Sequence, residues 1–129
     1  ELKCPYILMS VKSSLHDMLI AFADEVQQLR DRGVKDIILD PGFGFGKTLE
    51  ENYRLMREME KLHVLGLPLL VGVSRKSMIF KLLGGTPASA LNGTTVLHAL
   101  SLAKGASILR VHDVKEAVEA VKIVEMLNA

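Results

Sequence analysis

Ile37-Ile38-Leu39-Asp40-Pro41-Gly42-Phe43-Gly44-Phe45-Gly46-Lys47-Thr48-Leu49-Glu50-Glu51 reads as one complete strand-to-helix turn. The apolar run at its start suits a buried strand. Thr48-Leu49-Glu50-Glu51 is a Thr-x-x-Glu capping box and opens a helix. Between them a carboxylate stands at the strand's end. Three glycines at alternate positions, Gly44 among them, let the backbone approach a flat ligand, because glycine has no Cβ to hold it off. Phe43 and Phe45 offer ring faces or edges. Aspartate, bare backbone and aromatic rings together suit a planar, hydrogen-bonding heterocycle. Two nucleotide motifs fail on spacing. A Walker A loop needs glycine where Pro41 stands, and a dinucleotide fingerprint needs glycine where Lys47 stands.

Outward from this turn, strands and helices alternate. The first strand is predicted at Pro5 to Met9. Its helix runs from about Ser14 to Arg32, with Leu15, Leu19, Phe22, Val26 and Leu29 on one face and Gly33 as its stop. The second strand is Asp36 to Leu39. The Thr48 helix follows, with Leu55, Met56, Met59 and Leu62 apolar. The third strand is Leu67 to Val73, followed by a short helix from about Ser77 to Leu83 that Gly84-Gly85 close. Thr86-Pro87 starts a helical stretch, bent near Asn92-Gly93, that reaches Lys104. The fourth strand is Ser107 to Val111. Asp113 caps a last helix carrying Val114, Val118, Val121 and Leu127.

This order predicts an α/β fold with a parallel sheet and right-handed crossovers. The four consecutive βα units recur at roughly the pace of a (β/α)8 TIM-type barrel, where about 250 residues make eight units. Four units are half of that, in one domain over residues 1–129. A half-barrel leaves open strand edges, so the sequence implies another segment, a second copy, or an open sheet that twists to protect itself.

Composition narrows the function. Of the 129 residues, 49% are hydrophobic and only 5% aromatic, which suits buried parallel strands under helices. Sixteen basic and fifteen acidic residues are interspersed, leaving a net charge of +1. No clustered basic face points to nucleic acid. The longest apolar run, Val64 to Val73, is too short to span a membrane. Cys4 is the sole cysteine, which excludes an intrachain disulfide and suits a reducing, cytoplasmic setting. The chain opens at Glu1 rather than Met, which implies a piece of a longer polypeptide.

In such folds the working residues sit at the carboxyl ends of the strands. Those ends carry Ser10, Asp40, Ser74 with Arg75-Lys76-Ser77, and Arg110 with His112 and Asp113. Lys76 and Ser77 stand at a helix start. Arg110 and His112 are two apart on one strand and share a face. Together they make a cationic rim suited to phosphate or pyrophosphate. Each residue also has a plainer reading. Arg110 could pair with a structural carboxylate, His112 could be a satisfied histidine near a strand end, Asp113 and Ser77 could be N-caps, and Arg75 and Lys76 could be solvated. His16 and His63 suit exposed helical positions, and His98 a structural one. Met56, Met59 and Met78 suit core filling. No His, Cys and carboxylate set has metal-ligand spacing.

Three blocks in order resemble dihydropteroate synthase, a pterin-binding barrel family. They are Leu39 to Lys47, Gly72-Val73-Ser74-Arg75-Lys76-Ser77, and Arg110-Val111-His112-Asp113-Val114. The match covers the family's C-terminal half. It implies the joining of p-aminobenzoate to a dihydropterin methyl pyrophosphate, releasing pyrophosphate, in folate biosynthesis. By this resemblance Asp40 binds the pterin ring, and Lys76 reaches the pterin and borders the p-aminobenzoate site. Ser77 helps hold the p-aminobenzoate carboxylate, and Phe45 packs near its ring. Arg110 lies over the pterin and, with His112, binds the leaving pyrophosphate. Lys76, Arg110 and His112 are the implied catalytic residues. The implied Mg2+ is held by first-half residues and the substrate, not by this segment. The family's first-half motifs are absent, and Leu8-Met9 is followed by Ser10 and a short Val11 to Ser14 segment. The open strand edges also imply a homo-oligomer. Two other functions fit part of the pattern: a non-catalytic half-barrel binding a pterin or a protein, and a piece of a pterin-dependent methyltransferase.

Overall fold

Parallel strands alternate with helices from Cys4 to the C-terminus. The computed structural model describes residues 4–129, so residues 1–3 of the expected unit lie outside the described residues. The elements are β1 (Tyr6–Met9), α1 (Leu15–Asp31), β2 (Ile37–Asp40), α2 (Leu49–Glu58), β3 (Leu70–Val71), α3 (Ser77–Leu83), α4 (Leu91–Ala103), β4 (Ile108–Leu109) and α5 (Val114–Leu127). β1 pairs parallel with β2, Met9 opposite Asp40. β3 pairs parallel with β4, Val71 opposite Leu109. A single parallel bridge, Leu39 to Leu69, joins the two ladders.

Local sequence explains the helix starts. Ser14 Oγ accepts from Asp17 N at 3.1 Å, and Leu15, Met18, Phe22 and Val26 form the buried stripe of α1. At α2 the capping box closes in both directions: Glu51 N donates to Thr48 Oγ1, and Thr48 N to Glu51 Oε1. These helices cover one face of the strands, where Ile37, Leu39 and Val71 are buried. Successive strand residues point to opposite faces. Ile38 and Asp40 therefore share the other face with their partners Ile7 and Met9.

Several expected boundaries shift. The third and fourth strands are regular over two residues each. Pro68 has no N–H for the ladder, and Ser107 N and Ile108 N both donate to Leu69 O, an irregular entry into the pairing. The Thr48 helix ends at Glu58 and tightens into a 3-10 segment, Met59–Leu65, which still buries Met59 and Leu62. The stretch after Thr86 is a 3-10 turn, Pro87–Ser89, and α4 starts only at Leu91. Its break thus precedes Asn92-Gly93. Gly93 lies in the first turn of α4, where a Cβ would strike the Ile79 side chain.

The large apolar residues noted on the last helix are not the ones packed. Ala117, Ala120 and Val124 are buried, while Val114, Val118 and Leu127 are exposed and Val121 is half-buried. Small alanines allow the close approach of α4 to α5, which leaves the valines facing out. β1 is exposed as well: Ile7 is 47% and Met9 41% accessible. Among the described residues no helix is long and apolar enough to cross a membrane.

Candidate active site

Asp40 ends β2 and is buried, only 4% exposed. Its Oδ1 accepts from Gly42 N at 2.9 Å. Among the described residues its Oδ2 takes no hydrogen bond. Gly42 has φ 71, and a Cβ on it would collide with the Ser10 carbonyl oxygen. Glycine is thus required twice here, by the left-handed backbone and by the close approach of the β1 end.

The loop beyond is tied from three directions. Lys47 Nζ donates to Gly42 O at 2.8 Å and to Phe45 O at 3.3 Å. Gly44 N donates to Asn52 Oδ1 at 2.8 Å, and Asn52 Nδ2 donates to Thr48 O at 3.0 Å. Lys76 Nζ crosses from the next βα connection to donate to Phe43 O at 2.7 Å. The two phenylalanines separate. Phe43 is wholly buried in the core, a correction to its expected ligand-facing role, whereas Phe45 is 44% exposed. Left-handed glycines at 42 and 44 turn the intervening ring inward. Lys76 Nζ lies 4.7 Å from the centroid of Phe45, a cation–π distance.

Arg110 extends β4, its N–H donating to Val71 O at 2.9 Å. It shares a face with Ile108, two residues before it. Lys76 and Arg110 converge over Gly72. A Cβ built there would lie 3.6 Å from Lys76 Nζ and 3.8 Å from Arg110 Cβ. Burial pushes the Lys76 ammonium below its ordinary value, Asp40 opposes this, and Arg110 adds to it. Burial also lowers Lys47, against the attraction of Asp40 and Glu51. One carboxylate therefore acts on two partly buried ammonium groups, and the Arg110 guanidinium lies near the second of them, Lys76.

His112 pairs with Ser74, two residues before Lys76. Its N–H and its Nδ1 lie 3.3 and 2.8 Å from Ser74 Oγ. Ser77 is the first residue of α3, half-buried, with Lys76 rather than Ser77 in the N-cap position. Gly44 is exposed at the loop tip. Asp40, Phe45, Lys76 and Arg110 thus form one cluster, with Ser77 at the adjoining helix start and His112 two residues beyond Arg110, held by Ser74.

The plainer readings of Asp113, Arg75 and Lys76 also change, while His98 is buried as its structural reading expects. Asp113 occupies the N-cap position of α5, but its side chain caps nothing there. Arg75 takes the carboxylate instead, and neither Arg75 nor Lys76 is simply solvated. His98 is 2% exposed and its Nε2 has no hydrogen-bond partner. Burial lowers its pKa and so favours the neutral ring. Asn52 went unnoticed in the sequence. An amide one turn inside a capped helix was its available signal, since asparagine is a poor helix former.

Residues 4–112 match the family model described as pterin binding enzyme. The dihydropteroate synthase of Escherichia coli K12 is 45% identical over 106 residues, covering 81% of this chain and 38% of that relative. Yersinia pestis dihydropteroate synthase, solved with a pterin–sulfa conjugate, superposes with a TM-score of 0.93 at 40% identity. That match covers 96% of this chain and 52% of the solved one. The Coxiella burnetii dihydropteroate synthase, in complex with pteroic acid, gives a TM-score of 0.93 at 34% identity, covering 98% of this chain and 54% of that one. The chain spans 38% of the curated relative and about half of the solved chains.

Proposed function

The chain belongs to the pterin binding enzyme family, and from that premise we propose that it is the C-terminal half of a dihydropteroate synthase. The proposed fold is half of a (β/α)8 barrel, one unit of four βα pairs. The exposed apolar faces of β1 and α5 support this, because they suit a covering complement. The complete enzyme is then this chain with a first-half complement; a second copy covers the exposed faces without supplying the first-half motifs. A homo-oligomer follows from the same exposed surfaces.

The observation that carries the reading is the buried Asp40, with one oxygen committed to its own loop and the other open beside Lys76. A carboxylate there accepts from the amino and ring N–H groups of a pterin. The backbone at Gly44 borders the ligand. Phe45 packs near the p-aminobenzoate ring, and Ser77 donates to its carboxylate. The amine nitrogen of p-aminobenzoate attacks the pterin methylene carbon. The carbon–oxygen bond breaks, pyrophosphate leaves with the bonding electrons, and the nitrogen loses a proton. Negative charge grows on the leaving group, where Lys76, Arg110 and His112 stabilise it in the transition state.

Among the described residues no three metal-ligating side chains converge. The Mg2+ that the resemblance implies does not fit a cage made by this chain. It would be held by the substrate pyrophosphate and by residues of the first half, and no step here runs through it.

Titration of the complete enzyme with inorganic pyrophosphate tests the rim. Removing a charged hydrogen-bond donor costs about 1.5–3 kcal/mol, so Arg110→Ala should weaken binding at least about tenfold. His112→Ala should weaken it in the same direction. Unchanged affinity in both variants would remove the rim from the leaving-group site.

A further inference from the structure

Arg75 sits between Ser74 and Lys76, yet its guanidinium is occupied by fixed acceptors. Nε donates to Asp113 Oδ2 at 3.0 Å, and Nη2 to Asp113 Oδ1 at 2.9 Å. Nη1 donates to Pro87 O at 2.8 Å and to Ala88 O at 2.9 Å. Four of the five guanidinium N–H groups are thereby committed. The Arg75 backbone lies at φ 54, the one non-glycine residue with positive φ among those described. That conformation is unfavourable for a long side chain. It persists here because Arg75 N donates to Thr94 Oγ1 at 2.9 Å, and Thr94 Oγ1 donates to Ala90 O at 2.6 Å.

The next pair over is Ser74 with His112. Two consecutive residues after β3 thus pair with two consecutive residues after β4. The bidentate fork fixes the orientation of both segments, which a single point contact would not do. The left-handed turn at Arg75 aims the chain so that Lys76 reaches Phe43 O and Ser77 opens α3.

We propose that Arg75 and Asp113 form a positioning latch that holds Lys76 and His112 in register, and that Arg75 is not itself an anion ligand. The inference rests on the proposed transferase reading and goes one step past it. Asp113 is held below its ordinary carboxylate value chiefly by its hydrogen bonds to Arg75, in keeping with a charged pair at neutral pH.

The alternative, Arg75 as a direct pyrophosphate ligand, predicts the opposite response to Asp113→Asn. That change would free the guanidinium, so pyrophosphate affinity would stay level or rise. The latch predicts a fall of about tenfold in pyrophosphate affinity and in kcat, because the fork is broken. Arg75→Gln should give the same loss, and the double variant no further loss, since both remove one device. Arg75→Lys keeps the charge but not the fork, so it should not rescue. Measured on the complete enzyme, these four variants with wild type form the test. Asp113→Asn with unchanged affinity and kcat overturns the latch, as does rescue by Arg75→Lys. Losses confined to the melting temperature, with kcat, KM and pyrophosphate affinity unchanged per folded molecule, overturn it as well. A folded wild type that makes no dihydropteroate removes the underlying transferase reading, and the latch with it.

Discussion

Asp40→Asn should lower pterin affinity of the complete enzyme at least about tenfold. The amide keeps the shape of the carboxylate but loses its charge and exchanges one acceptor oxygen for an NH2 donor. Oδ1 is already committed to Gly42 N. If the oxygen is retained there, the NH2 faces the ligand, and donor meets donor at the pterin amino or ring N–H. If the side chain flips, the loop loses its own bond instead. Either way a buried polar group loses its partner, at a cost of about 1–3 kcal/mol, more when charge is involved. About 1.4 kcal/mol corresponds to tenfold. Lys76 also loses its opposing charge, which adds to the loss. Titration calorimetry with a pterin ligand measures this directly, and an unchanged dissociation constant would remove Asp40 from the site.

Gly42→Ala should have the larger effect on the fold. An alanine at φ 71 incurs the left-handed penalty of about 1–2 kcal/mol. Its Cβ would also be driven into the Ser10 carbonyl oxygen, which belongs to the backbone and cannot rotate away. Overpacking of this kind adds about 1–3 kcal/mol, so the total loss is about 2–5 kcal/mol. Gly46→Ala is the internal control. It has φ 65, but its Cβ would come no nearer than 3.9 Å, to Val11 O. It should lose only the backbone part. Chemical denaturation of the two variants should therefore separate them, and equal losses would contradict the close approach of Ser10 to the loop.

The parallel α/β pattern and the cluster at the strand ends were legible in the sequence because both rest on local signals. The capping box at Thr48, the apolar stripe of α1 and the strand-ending Asp40 each need only a few neighbouring residues to be read. The misread features depend on chain remote in sequence or on backbone handedness. Phe43 and Phe45 look equivalent in a Gly-Phe-Gly-Phe repeat, and only the left-handed turns send one inward. Asp113 looks like a helix cap until Arg75, thirty-eight residues earlier, claims its carboxylate. Lys76 reaches back across thirty-three residues to Phe43 O, a bond that no local pattern announces. On α5 the sequence displays the valines, but not that the alanine face is the one packed.

On the proposed reading this chain holds one half of a catalytic site. Proximity effects require both reactants held together, so half a pocket should lose turnover far more than weak binding. The direct measurement is dihydropteroate formation from p-aminobenzoate and the dihydropterin pyrophosphate, with light scattering on the same sample. Alone, the 129-residue chain should give no product and should not remain a clean monomer. With a first-half complement from a relative, product should appear. A monomeric chain that turns over both substrates alone, or a folded reconstituted pair that makes none, would contradict the account.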